Sequence, residues 1–148
     1  MVRKAKKEDV KTINKLITYF IRDEANDYDE NNRNDLIVMG YAEKRVDTED
    51  NIIYVYEDKD EIVGFVSGSF QRGNTVKKTD EVKIEMLYVL DDYRNKGIGT
   101  KLIDAFVNEC KEKNVSYVRI DNFLKNPAGN LYERLGFNPL VIERRKKI

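Results

Sequence analysis

The residues best placed to do chemistry are Arg94-Asn95-Lys96-Gly97-Ile98-Gly99. Two glycines one residue apart, among Arg94, Lys96 and the following Lys101, suit the binding of an anion. The run before them, Val82 to Val89, is apolar and aromatic and reads as a strand, broken at Asp91-Asp92. From Ile98 onward Leu102, Ile103, Phe106, Val107 and Cys110 fall on one helical face. The first N–H groups of such a helix lack intrahelical partners and sit at the positive end of its dipole. Glycine lets a phosphate approach that backbone without a Cβ in the way. The chemistry implied is a pyrophosphate cradle. A Walker loop needs four residues between its glycines and then Lys-Ser/Thr, which is absent. A dinucleotide fingerprint needs a third glycine where Leu102 stands.

Arg94-x-x-Gly97-x-Gly99, set between a Leu-Tyr-Val strand and an amphipathic helix, resembles the acyl-CoA-binding motif of the GNAT superfamily of N-acyltransferases. Downstream, Ala128-Gly129-Asn130-Leu131-Tyr132-Glu133-Arg134-Leu135-Gly136-Phe137 resembles that family's second signature, A-x-x-L-Y-x-x-x-G-F. Two signatures in the family's order are more specific than either alone. The resemblance covers residues 50–140 by motif and 1–50 by layout. It implies acetyl-CoA as co-substrate, no metal, and acetyl transfer to a primary amine by direct attack in a ternary complex.

Carried over by position, Leu87, Tyr88 and Val89 would meet the pantetheine and thioester through their backbone. Arg94, Asn95, Lys96, Gly97, Ile98, Gly99 and Thr100 would surround the pyrophosphate. Asn126 would touch the pantetheine arm, although Lys125 holds the place where the family often has asparagine. Asp91 stands where proline is common before the loop.

Amine acetylation needs a base for the ammonium, stabilisation of the thioester oxygen and an acid for the leaving thiolate. The chain has no histidine, so the base must be a carboxylate, directly or through water. Glu85 is the candidate: it lies on the central strand between apolar neighbours, where the family carries a glutamate base. Partial burial there would raise its pKa toward a useful range. Simple alternation gives a solvent-facing glutamate at the same place. Tyr132, the tyrosine of the second signature, is the candidate acid, with packing on a core edge as its bland alternative. Cys110 falls on the apolar helix face and reads as core rather than nucleophile. The acidic stretch Asp23, Glu24, Asp27, Asp29, Glu30 would rim the acceptor pocket and attract a small cationic amine, or else form an exposed charged loop.

The elements that must position these groups follow from pattern. At 148 residues the chain suits one domain, 1–148, burying about 70% of its unfolded surface. Lys+Arg and Asp+Glu are each 27, so no basic field points to nucleic acid. The start, MVRKAKKEDV, has no apolar core of a signal peptide, and no run approaches a membrane span, so a cytoplasmic protein is expected. A strand is predicted at 2–5, a helix at 7–21, and a loop or broken helix at 22–35. A weaker helix follows over 34–43. Strands are predicted at 51–57 and 62–71 around a turn at 58–61, with the central strand next, then a helix to about 114. A strand at 116–121, a short helix at 128–135 capped by Gly136, and a last strand at 138–144 complete the chain.

This is an α/β (α+β) pattern with a central mixed β-sheet flanked by helices. Val82, Ile84 and Met86 alternate with Lys83 and Glu85, but Leu87, Tyr88 and Val89 are all apolar. Either both faces become buried or a β-bulge shifts the phase; the resemblance implies the bulge, and a partly splayed sheet. A homodimer would pair through the last strand. Two other functions fit the same motifs: a protein N-terminal or lysine acetyltransferase, and a non-catalytic acyl-CoA-binding module.

Overall fold

The computed structural model describes residues 1–148. Its strands are β1 (Val2–Lys4), β2 (Asn51–Asp58), β3 (Glu61–Gln71), β4 (Glu81–Val89) and β5 (Tyr117–Ile120), and its helices α1 (Val10–Asp27), α2 (Ile98–Glu112) and α3 (Ala128–Arg134). The strands form one sheet in chain order. β1 to β4 pair antiparallel, and β5 joins β4 parallel after the α2 crossover. No helix is long and apolar enough to cross a membrane.

Local chemistry explains the turns. Lys59 and Asp60, at φ +48° and +64°, are both left-handed, the geometry that matches a tight hairpin to strand twist. At the sheet edge, the buried Asp9 accepts two bonds from Arg3, at 2.7 and 3.0 Å, tying β1 to the start of α1. The Arg3 guanidinium holds the Asp9 carboxyl below its usual range.

Two apolar layers sandwich the sheet. On one face Ile13, Leu16 and Ile17 of α1 pack with Val55, Phe65, Met86 and Tyr88. On the other, Ile98, Leu102, Phe106 and Cys110 of α2 pack with Ile52, Val66, Val82, Ile84 and Val89. The membership of β4 residues reveals the predicted phase shift. Ser67 pairs with Met86 while Gly68 pairs with Ile84, so Glu85 is the extra residue of a bulge. Before it, even-numbered side chains face α2; after it, they face α1.

The splay is equally plain. β4 and β5 pair only from Glu81↔Tyr117 to Ile84↔Ile120, and Glu85 onward has no partner on that side. Two predicted elements do not form. Residues 34–43 are irregular, with a single 3₁₀ turn at Ala42–Lys44, because Gly40 adopts φ +80° and Thr18 Oγ1 takes the Val38 N–H at 3.0 Å. Residues 138–148 carry no strand: Pro139 lacks a donor, and the basic tail instead reaches back, Arg145 to Asp29 at 2.8 Å and Lys147 to Glu30 at 3.0 Å. Conversely α1 runs six residues past the predicted end at 21, to Asp27, taking in part of the acidic stretch.

Candidate active site

The bulge turns Glu85 toward the α1 face, where it meets three hydroxyls' worth of polar lining on an otherwise apolar layer. Tyr41 donates to Glu85 Oε2 at 2.6 Å, and Ser69 donates to Oε1 at 2.8 Å. Ser67, 1% exposed, lies with its Oγ 3.4 Å from the Tyr41 hydroxyl. Burial pushes the Tyr41 phenol up to about 12, with the hydrogen bond to Glu85 acting in the same direction. Tyr41 therefore holds its proton and gives it to the carboxylate as a hydrogen bond. None of Tyr41, Ser69 and Ser67, the last of which contacts Tyr41 rather than Glu85, is singled out by the sequence. Ser67 and Ser69 carried a signal, two hydroxyls alternating along an apolar strand, whereas Tyr41 sat inside a helix prediction that failed.

The loop after β4 is shaped as the glycines suggested. Asp91–Tyr93 make one 3₁₀ turn, Asn95 takes φ +59°, and Gly97 at φ +78° opens α2. No atom lies within 4 Å of where a Gly97 Cβ would stand, so the approach to the helix N-terminus is open. The first main-chain bond of α2 runs from Lys101 N–H to Gly97 O, which leaves the N–H groups of Ile98, Gly99 and Thr100 for a ligand. This donor set fits a pyrophosphate. Gly99 has a second reason to lack a side chain: a Cβ there would come 3.2 Å from Leu131 of α3 and 3.8 Å from Leu87 of β4.

The cationic residues of the loop are engaged within the chain. Arg94 donates through Nε to Val89 O at 2.8 Å, and its guanidinium faces Asp91 at 2.7 Å and Asp23 at 3.4 Å. It thus ties the loop to the end of α1. Lys96 donates to Asp92 O at 2.9 Å, and Lys101 lies over the Tyr56 ring. Tyr88, between the half-buried Leu87 and the buried Val89, turns its ring to the α1 face and donates to Asp23 at 3.2 Å. Asn126 accepts the Ala128 N–H through Oδ1 at 2.9 Å, so it caps the approach to α3 and keeps its Nδ2 for other contacts.

Tyr132 is buried on α3, edge-on to Phe137 at 6.2 Å. Burial pushes its phenol up to about 12, and the Asp121 and Glu24 carboxylates add to this. Glu24 is itself raised, first by burial and then by Asp121 and Asp29. The two candidate groups therefore sit in different surroundings: Glu85 answers to Tyr41 and Ser69, Tyr132 to Asp121 and Glu24. Cys110 is 1% exposed, and burial followed by the Glu109 charge pushes its thiol up to about 11. That removes the thiolate an acyl-cysteine route would need. Within the acidic stretch, Asp23, Asp29 and Glu30 are taken by Arg94, Arg145 and Lys147.

Comparison with known proteins identifies the family of this fold. Residues 13–137 match the model of the acetyltransferase (GNAT) family. An N-alpha-acetyltransferase of Sulfurisphaera tokodaii is 35% identical over 101 residues, covering 62% of this chain and 59% of that protein. Relatives of this kind are longer, and the matches span 38% to 59% of their length. Among solved structures, a point mutant of the BH1408 protein of Bacillus halodurans superposes with a TM-score of 0.88 at 18% identity, over 100% of this chain and 99% of that one. The aminoglycoside enzyme AAC(6')-Iy, bound to a bisubstrate analogue of CoA and acetylneamine, superposes with a TM-score of 0.76 at 18% identity, over 100% and 98%.

Proposed function

The chain belongs to the GNAT acetyltransferase family, and from that premise we propose that it is a single-domain N-acetyltransferase acting on a small cationic primary amine. The observation that carries this reading is the coincidence of the Glu85 bulge with the point where β4 and β5 part. A bulge re-aims backbone and side chain beside a gap that can take an extended substrate. Acetyl-CoA supplies the activated acyl group as a thioester. The chain's own groups do the rest. The N–H groups of Ile98, Gly99 and Thr100 hold the pyrophosphate, and the open edge of Leu87 to Val89 lines the pantetheine path. Glu85 takes the proton of the acceptor ammonium, directly or through water. Tyr132, kept protonated by burial, gives its proton to the leaving thiolate as the C–S bond breaks, and regains one from solvent.

The acceptor class rests on charge. The Glu24 and Asp121 carboxylates both act on Tyr132. Lys83 already pairs with Asp121 at 3.0 Å, so it is Glu24, raised by burial and by Asp121 and Asp29, that a cationic amine would relieve. The likeness to AAC(6')-Iy, whose bound analogue carries an acetylated aminoglycoside fragment, supports the same class. A second reading, acetylation of a polypeptide N-terminus, draws on the N-alpha-acetyltransferase relatives. The lone buried thiol suits a reducing, cytoplasmic setting. Leu140, Val141 and Ile142, side by side and 64% to 75% exposed, are the surface through which a homodimer would form.

Thiol release from acetyl-CoA, measured against a panel of polyamines, aminoglycosides and N-terminal peptides, tests the proposal. Turnover with small cationic amines supports it, and turnover with peptides alone selects the second reading. Calorimetric CoA binding with no turnover on any amine would move the protein to a binding role.

A further inference from the structure

The 40–46 turn has almost no regular structure, yet it is tied to α1 through Asn14 and closed on itself by its own contacts. Asn14, 6% exposed, accepts the Ala42 N–H at 3.0 Å and donates to both oxygens of Glu43, at 3.0 and 2.9 Å. Val46 N–H closes on Ala42 O at 2.9 Å, and both residues are buried in the α1-side layer. Arg45 lies 3.9 Å over the Tyr41 ring, and its Nη1 donates to Tyr41 O at 3.3 Å. The ring between them has little freedom left, and its hydroxyl points at Glu85. A glutamate on a bulge has no such restraint of its own, since its long side chain must otherwise choose among several rotamers.

A carboxylate has about four lone-pair sites on its two oxygens. Tyr41 and Ser69 take one on each oxygen of Glu85 and leave the others open. We infer that Tyr41 is the positioning residue of the base: its anchored hydroxyl orients the Glu85 carboxylate toward the acceptor nitrogen. The inference rests on the reading of Glu85 as base. In the step itself, the ammonium N–H bond breaks and its proton goes to a Glu85 oxygen. The electron pair stays on nitrogen for attack on the thioester carbon, and Tyr41 keeps its own proton. The groups that face Glu85 are Ser67 and Ser69 from β3 and Tyr41, with Arg45 behind it, from the turn.

The test is a double-mutant cycle of Tyr41→Phe and Glu85→Gln, read as kcat/KM across pH with CoA affinity and melting temperature alongside. Phenylalanine keeps the ring under Arg45 and removes only the hydroxyl. A hydrogen bond to a charged group is worth a factor of roughly ten to a hundred, so Tyr41→Phe alone should lower kcat/KM about tenfold. Because the lost bond oriented the carboxylate, the loss should fall on kcat, with CoA affinity and melting temperature unchanged. In the Glu85→Gln background, Tyr41→Phe should cost little more, since the two act as one unit. Ser69→Ala, on the other oxygen, should lower kcat in the same way if Tyr41→Phe fails to fold. A Tyr41→Phe profile that overlays the wild type, or losses that simply add in the double variant, overturns the inference while Glu85→Gln remains impaired. Glu85→Gln with full activity across pH instead removes the base itself.

Discussion

On the α2 side of the β3–β4 pair there is room at Gly68 for nothing but hydrogen: a Cβ would stand 2.4 Å from Lys83 O and 2.6 Å from Phe106 Cζ. On the α1 side, the residues before and after it carry hydroxyls, and Ser69 spends its own on the bulged Glu85. The same three residues of β3 thus serve two faces with opposite demands. The α2 face gains from excluding every atom it can, since close apolar contact is where burial and dispersion contribute most. The α1 face keeps polar atoms half-buried, which is tolerable only because each is hydrogen-bonded. The first face is rigid so that the second can aim. If this division is right, substitutions a few ångströms apart should have opposite signatures.

The largest effect belongs to Gly68→Val. Overpacking a filled core costs about 1–3 kcal/mol and more where backbone is the obstacle, and here the nearest atom is a carbonyl oxygen. A loss at the top of that range, about 3 kcal/mol, should appear as a fall in the thermal midpoint followed by circular dichroism. CoA affinity of the remaining folded protein should be unchanged. A midpoint equal to wild type would mean that α2 does not press on the sheet, and the comparison would fall.

Glu85→Gln should do the reverse. Losing a general base lowers kcat by roughly a hundredfold or more, while the isosteric amide accepts from one of the two hydroxyls and donates its NH2 to the other, which keeps the melting temperature in place. A variant that melts early without losing its per-molecule rate would make Glu85 a structural residue.

The two faces also differ in how much of them could be read from the chain. The α2 face was legible because helical periodicity from Ile98 to Cys110 and the apolar strand residues obey one repeat each. The apolar run Leu87 to Val89 left burial on both faces and a bulge equally open, and it was the resemblance that implied the bulge and pointed to Glu85. What surrounds Glu85 was not legible. Tyr41 arrives from an irregular turn whose shape depends on Asn14, twenty-seven residues earlier, and no local pattern encodes that bond. The 34–43 stretch has helical spacing in Leu36, Ile37 and Met39, yet all three lie exposed and propensity is overridden by the tie from Thr18 to Val38. The last strand failed for a related reason: Leu140 to Ile142 have strand composition, but they pair with neither outer edge of the sheet, at β1 or at β5, and stay exposed.

Gly97→Val sharpens the boundary between the faces, at the loop that leads from β4 into α2. Nothing obstructs a side chain there, so packing predicts no cost at all. The cost comes from φ +78°, which a β-branched residue adopts only with strain of about 1–3 kcal/mol. Turning that residue away from the left-handed region re-aims the N–H groups of Ile98 and Gly99. CoA binding measured by calorimetry should weaken about tenfold at low ionic strength. Equal affinity would place the pyrophosphate elsewhere.

The smallest effect is the most discriminating for mechanism. Cys110 belongs wholly to the packed face, 1% exposed beside Phe106, and its thiol is pushed up to about 11 by burial and by Glu109. At neutral pH it is therefore a thiol without nucleophilic character. Cys110→Ala removes one buried sulfur, a loss of about 1 kcal/mol in stability, and should leave kcat and KM for acetyl-CoA and amine where they were. Native protein should also resist alkylation by iodoacetamide that unfolded protein accepts readily. Initial-rate patterns in both substrates should intersect, as a ternary complex requires, rather than run parallel. If Cys110→Ala kept its fold but lost turnover, an acyl-cysteine intermediate would return. The packed face would then be doing chemistry after all.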